Sequence, residues 1–140
     1  MFQRTYKVQG EDVNDFMVMQ NRAYLKYTSK IVETFLFVNG FTRLKMNKRQ
    51  VGLQNSNDQI TRQKSLLFTQ DFSVKITFDT LSFCQQKMTV TVAFFNQKEE
   101  LCATVIRDLF WFDYKSWQTI TPPKNLTKFF TNKEILEQAS

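Results

Sequence analysis

The chain has no histidine in 140 residues, and only three glycines, two prolines and two cysteines. Each shortage excludes something. Without histidine there is no Ser-His-Asp or Cys-His nucleophile pair, and no histidine-based zinc or iron site. Cys84 and Cys102 lack the spacing of metal ligands, so no metal and no bound cofactor are expected. The remaining chemistry must rest on Asp, Glu, Asn, Ser, Thr, Tyr, Lys or a helix dipole. So little glycine and proline points to long elements with few tight turns. No apolar run is long enough to span a bilayer, and the polar start MFQRTYKVQG reads as a strand without the apolar stretch of a secretory leader. The expectation is a cytoplasmic protein with no membrane partner and with both cysteines reduced in the core.

What is abundant is phenylalanine, at fifteen residues, within a chain that is 42% apolar and 15% aromatic. That composition excludes disorder, and the length suits one domain over 1–140. The net charge of +6 favours anionic partners, namely nucleic acid, phosphorylated cofactors or acidic carrier proteins, or serves solubility alone. Locally only Lys45 to Arg49 (KMNKR) stands out as basic.

The stretch Gly10 to Gly40 organises the rest. From about Asn21 the apolar residues Tyr24, Tyr27, Ile31, Phe35 and Val38 recur every three or four positions, the spacing of one helical face. Leu25, Val32, Leu36 and Phe37 fill the other sides, so the helix is expected to be buried nearly all round. Gly40 ends it as a residue free to take a left-handed conformation. Before it, Phe2 to Val8 reads as a strand and Gly10 to Gln20 as a loop. After it, Phe41 to Lys48 reads as irregular and Gln50 to Asn55 as a short strand. Asn55 to Asp58 (NSND) reads as a turn. Gln59 to Leu67, Phe72 to Leu81, Lys87 to Phe95 and Leu101 to Tyr114 follow as extended segments, with a turn at NQKE. Asn132 to Gln138 suggests a short terminal helix. Strand, long helix, then antiparallel strands is an α+β pattern, in which a curved sheet of five to six strands wraps the helix.

Several residues in this frame resemble a known family. Asp12-Val13-Asn14-Asp15-Phe16-Met17-Val18-Met19-Gln20-Asn21 leads into Tyr24-Leu25-Lys26-Tyr27, with Gly40 at the helix end, Asp71-Phe72-Ser73-Val74 at a strand start, and Asp113 and Pro122-Pro123 near the C-terminus. In this order the chain resembles, over about 2–126, the hot-dog fold acyl-CoA thioesterases of the 4-hydroxybenzoyl-CoA thioesterase family. The family's loop reads roughly Asp-x-Asp-x-x-Gly before the helix. Here its catalytic Asp falls on Asn14, as in the thioesterases paired with enediyne polyketide synthases, and its Gly falls on Met17.

The resemblance implies hydrolysis of an acyl-CoA or acyl-carrier-protein thioester by a homodimer or homotetramer, acyl-CoA being substrate and not cofactor. It implies an oxyanion held by backbone N–H groups near Asn21 at the helix start, where unpaired donors and the positive dipole end lie. It places Asn14 as the residue that orients water, with Asp15 or Asp12 supplying negative charge, and Val18, Met19, Gln20 and Tyr24 against the substrate. The alternative is a non-catalytic hot-dog protein that binds acyl-thioesters or a partner. Other assignments stay open. Asp12 and Asp15 also fit solvated loop acids. Tyr24 and Tyr27 line an acyl pocket or pack in the core, and Glu33 pairs with Lys30 or Lys26 on the helix surface. Arg62, Lys64 and KMNKR meet CoA phosphates or water. The run Phe110 to Tyr114 stacks on a base or is a buried strand at a subunit contact. No nucleic-acid motif appears, and no nucleic-acid partner is expected.

Overall fold

A computed structural model describes residues 2–134. Strand β1 (Phe2–Lys7) is followed by a 3-10 turn, Gly10–Asp12, and by helix α1 (Asn21–Val38). Then come helix α2 (Arg43–Arg49) and the strands β2 (Val51–Arg62), β3 (Asp71–Ser82), β4 (Lys87–Phe95) and β5 (Leu101–Asp113). Strand β6 (Gln118–Ile120), helix α3 (Lys124–Thr127) and strand β7 (Asn132–Glu134) close the described chain. The sheet runs β1-β3-β4-β5-β2, with β6 beside β5 and β7 beside β3. β1 is antiparallel to β3, with Phe2 opposite Ile76 and Lys7 opposite Asp71.

The chain divides into two compact units, one of residues 2–35, 59–76 and 92–106, the other of residues 36–58, 77–91 and 107–134. In the first, most of α1 lies on an aromatic cluster. The Tyr24 ring meets Phe94 edge-on at 5.0 Å, Tyr27 meets Phe72 edge-on at 5.0 Å, and Phe2 meets Phe35 at 5.3 Å. Edge-on packing sets the positive ring edge against the negative face of its neighbour. The clean alternation of β3 and β4, with Phe72, Val74, Val92 and Phe94 buried, supplies the sheet side of this core. In the second unit Phe41 packs edge-on against Trp111, and Phe78 against Phe130.

Helix α1 departs from the expectation of burial on nearly every side. Ala23, Tyr24, Tyr27, Thr28, Ile31, Val32, Phe35 and Leu36 form one buried stripe, while Lys26, Lys30, Glu33 and Phe37 face outward. Two local readings are also corrected. Residues 43–49 are helical because Thr42 caps them, its hydroxyl accepting from the Lys45 N–H at 3.2 Å, and Gln50 ends them in the left-handed region at φ 54°. Asn55 to Asp58 is no turn but the middle of the twelve-residue β2. The tendency of Asp to turn comes from its own side chain bonding nearby backbone. Here the Asp58 carboxylate is taken instead by Arg107, which donates from Nε at 2.7 Å and Nη2 at 3.1 Å. Of the cysteines, both free, Cys102 is buried but Cys84 is exposed in the turn after β3, so the core reading holds for Cys102 alone. Asn132–Glu134 is a short strand, not the start of a helix, and the rest of that expected helix lies outside the described residues.

One buried carboxylate fixes the loop that precedes α1. Asp12, 1% exposed, accepts from the Gln9 N–H at 2.9 Å, from the Tyr27 hydroxyl at 2.6 Å and from the Lys26 ammonium. Burial would push its pKa up, but the Lys26, Tyr27 and Gln9 donors outweigh that and hold it below the ordinary carboxylate value. Burial, then the bond to Asp12, pushes the Tyr27 phenol in the opposite direction, up.

Because the folded-state pKa of Asp12 is depressed, its contribution is complete above the unfolded value of about 4 and is lost as pH falls through the folded value. We expect Asp12→Ala to lower stability by about 2 kcal/mol at neutral pH, since the Tyr27 hydroxyl and the Gln9 N–H lose their acceptor while the half-exposed Lys26 turns to water. In urea unfolding at stepwise pH, the gap between wild type and variant should narrow below pH about 4. A constant gap would exclude the ionised clamp.

Candidate functional site

Every residue that the sequence singled out before and at the start of α1 belongs to the first unit. From Val13 to Met19 the chain forms a small hairpin. Val13 bridges Met19, Asn14 N–H donates to the Val18 carbonyl at 3.0 Å, and Met17 N–H closes a turn on the Asn14 carbonyl at 2.9 Å. The hairpin is docked on residues 66–68, with Met19 N–H donating to Leu66 and Phe68 N–H to Met17. The Asn14 side-chain oxygen accepts from Phe16 N–H at 2.9 Å and Val18 N–H at 3.2 Å, so Asn14 holds the turn from inside. Met17, where the family pattern has glycine, takes φ 63°, the left-handed region that glycine favours.

The turn presents Asp15 to solvent, and among the described residues its carboxylate accepts no hydrogen bond. Around it lies an apolar lip. Phe16 is 83% exposed and Met17 53%, with Leu67 and Phe68 also open on the segment the hairpin docks against. Exposed apolar groups grouped in this way mark a binding surface more often than chance.

Helix α1 begins on Gln20. Its carbonyl accepts from Ala23 and Tyr24, its own N–H donates to the Asp12 carbonyl at 2.9 Å, and its side-chain amide donates to the Val13 carbonyl at 2.8 Å. The N–H groups of Asn21 and Arg22 have no acceptor among the described residues, so the helix start keeps open donors at its positive end. Arg62 adds to this field. It donates to the Asn21 side-chain oxygen at 3.2 Å and to the Met19 carbonyl at 2.9 Å. Arg62 was set by the sequence against CoA phosphates or water, not at the helix start. It joins the helix start across 41 positions of chain, and no local spacing signals that.

The structure therefore separates the predicted residues. Asn14, Asp15 and Val18 share the hairpin, while Gln20 and Asn21 form the helix start with Arg62. Met19 is fully buried beneath them, and Asp12 faces Lys26 and Tyr27. Tyr24 is fully buried in the aromatic core. Its hydroxyl has no partner among the described residues, and burial, opposed by the Arg62 charge, raises its pKa. Lys64 is paired with Glu100 at 2.6 Å. Among the described residues no group of His, Cys, Asp and Glu is arranged to hold a metal ion. Chemically, the arrangement offers uncharged and cationic donors at a helix end and one free carboxylate on a rigid turn.

Comparison with known proteins agrees with the fold. A family model described as the thioesterase-like superfamily matches residues 8–130. Among curated proteins none matches significantly. Among solved structures, the chain superposes on a hypothetical protein of Staphylococcus aureus in complex with CoA with a TM-score of 0.83, at 14% identity, covering 91% of this chain and 79% of that one. A gentisyl-coenzyme A thioesterase gives 0.80 at 15% identity, covering 90% and 99%. The 1,4-dihydroxy-2-naphthoyl-CoA thioesterase of Synechocystis gives 0.80 at 12% identity, covering 91% and 93%. Such identities speak for the fold, which is the hot-dog fold, and the family match covers most of the sequence. The chain belongs to the thioesterase-like superfamily.

Proposed function

We propose that this protein hydrolyses an acyl-CoA thioester at the start of α1. The observation that carries the reading is the pair of open N–H groups at Asn21 and Arg22, reinforced by Arg62, on a helix end held in place by Asp12. A thioester carbonyl becomes an oxyanion when water adds to carbon. Preorganised donors that need no reorganisation lower that barrier. The Asp15 carboxylate is the group able to take the proton of the attacking water, since Asn14 has no basic atom and Asp12 is committed to Lys26 and Tyr27. Asn14 orients the turn that carries Asp15, and the amide it presents outward steers the water. Val18 and Gln20 flank the substrate, with the Phe16–Met17 lip receiving its apolar part. Met19 and Tyr24 act as the buried floor. The thiol leaves carrying the proton that the base received, and the acid product gives the second water proton to solvent and departs as its anion.

The same geometry sustains a second reading, a binder that does not hydrolyse. Its support is that Asn14 stands where the family pattern has its catalytic Asp, with its acceptor atom already used by the turn. Acyl-carrier protein in place of CoA is the finer alternative for the carrier, and the net charge of +6 suits an acidic one. We further propose that the chain works as a homodimer or homotetramer. β2 stands at one end of the sheet, paired with β5 alone among the described strands, and an unpaired edge of twelve residues is suited to pairing with a second copy.

Thiol release from short, long and aromatic acyl-CoAs tests the first reading. We expect turnover by wild type, a loss of about 100-fold in kcat for Asp15→Asn, and a gain for Asn14→Asp, which restores a carboxylate without removing the turn's acceptor. No turnover by wild type, with acyl-CoA still raising Tm, would select the binder. Light scattering on the same samples reads the assembly, and a monomer at working concentration would exclude the oligomer.

Met17→Gly should relieve the left-handed strain and stabilise the fold by about 1 kcal/mol, with turnover kept. A destabilised variant would show that the exposed Met17 side chain contributes more than its backbone costs.

A further inference from the structure

The second unit contains a cleft of about 160 Å³ beside α2, with no assigned role. Its lining includes the apolar residues Phe41, Met46, Trp111 and Pro123 together with the cations Lys45 and Arg49. On the seven-residue α2, Met46 is half-buried, while Lys45 and Arg49, four apart and so on one flank, are exposed and both line the cleft. No acid lines the cleft, and residues 34–57 contain neither Asp nor Glu. Among the described residues Lys45 and Arg49 have no carboxylate partner, whereas Lys64 and Arg107 each have one. Two cations held side by side repel each other until an anion joins them.

Size narrows the occupant. An apolar cavity of about 150 Å³ accepts a benzene ring, so the cleft takes one ring or a branched chain of similar bulk and not a long acyl tail. Trp111, 4% exposed and stacked edge-on by Phe41 at 5.6 Å, gives the floor a rigid aromatic face. The Arg49 guanidinium offers a planar fork suited to a carboxylate, and the Lys45 ammonium a second donor.

We propose that this cleft is a binding site for a small organic carboxylate with a ring-sized apolar body, its head held by Lys45 and Arg49 and its body on Trp111. The proposal does not depend on hydrolysis, because none of these residues belongs to the start of α1.

The test uses the whole chain and benzoate as probe, with acetate and benzyl alcohol supplying the head and the ring alone. The two tryptophan indole N–H signals are followed by NMR and assigned with Trp117→Phe. Trp117 is 71% exposed and serves as internal reference. Benzoate should shift the Trp111 signal saturably and leave Trp117 unmoved, while acetate and benzyl alcohol each bind at least about tenfold more weakly. Lys45→Gln with Arg49→Gln, both at exposed positions, should weaken benzoate by about tenfold and leave benzyl alcohol unchanged. A Trp111 signal indifferent to benzoate, equal binding of benzyl alcohol, or undiminished benzoate binding by the double variant would each overturn the proposal.

Discussion

A carboxylate buried as completely as that of Asp12 is tolerated only when its charge and its lone pairs are met, because the cost of leaving water is several kcal/mol per ion. Its three donors come from two parts of the chain. Gln9 lies just before the 3-10 turn, and Lys26 and Tyr27 lie in the second turn of α1. Satisfying Asp12 therefore ties the turn to the helix, and the residues between must bridge a fixed gap. They do so as a closed hairpin with its own bonds and its own docking segment at 66–68. The Gln20 N–H then returns to the Asp12 backbone, so one residue anchors the loop by its side chain and the helix start by its carbonyl. The open donors of Asn21 and Arg22 inherit their position from that arrangement.

This division of labour bears on Asn14 and Met17, the two positions where the sequence reading set this chain apart from the family pattern. An Asx turn needs an acceptor oxygen, and Asp and Asn supply it equally. Asn14 thus keeps the turn and gives up the charge. At Met17 the backbone still takes φ 63°, because the Asn14 carbonyl and the Phe68 N–H hold that peptide on both sides. Structure and chemistry have separated here. The bonds that maintain the loop need neither a carboxylate at position 14 nor a glycine at position 17, and the carboxylate that this turn carries is that of Asp15.

Periodicity made α1 legible to within two residues at its end, and strict alternation made β4 legible, because a buried face leaves no freedom in the pattern. β3 and β5 were legible as extended segments, although β5 buries neighbouring residues at 102–103 and 111–112. The rest failed for physical reasons. α2 has a single half-buried residue, Met46, too few for a period to show, although Thr42 was a readable cap. β2 is an edge strand whose burial alternates only over residues 57–61, so composition alone spoke for its middle, and composition said turn until Arg107 took the Asp58 side chain. In the site, the order of Asp12, Asn14, Met17 and Asn21 was readable from the resemblance. That Asp12 is a buried clamp and that Arg62 reaches the helix start were not, since both depend on side chains meeting far from their own positions in sequence.

The charge of +6 looks different once the pairs are drawn. Lys26 is matched by Asp12, Lys64 by Glu100 and Arg107 by Asp58. Matched ions contribute little to the outer field. Lys45, Lys48 and Arg49 have no such match among the described residues, and the nearest acids in sequence are Glu33 and Asp58. Other cations are unmatched too, but α2 concentrates its own where residues 34–57 hold no acid, within about one Debye length. A field of that reach acts on small anions at contact and steers large ones only weakly, which favours a local ligand over long-range attraction as the consequence of the composition.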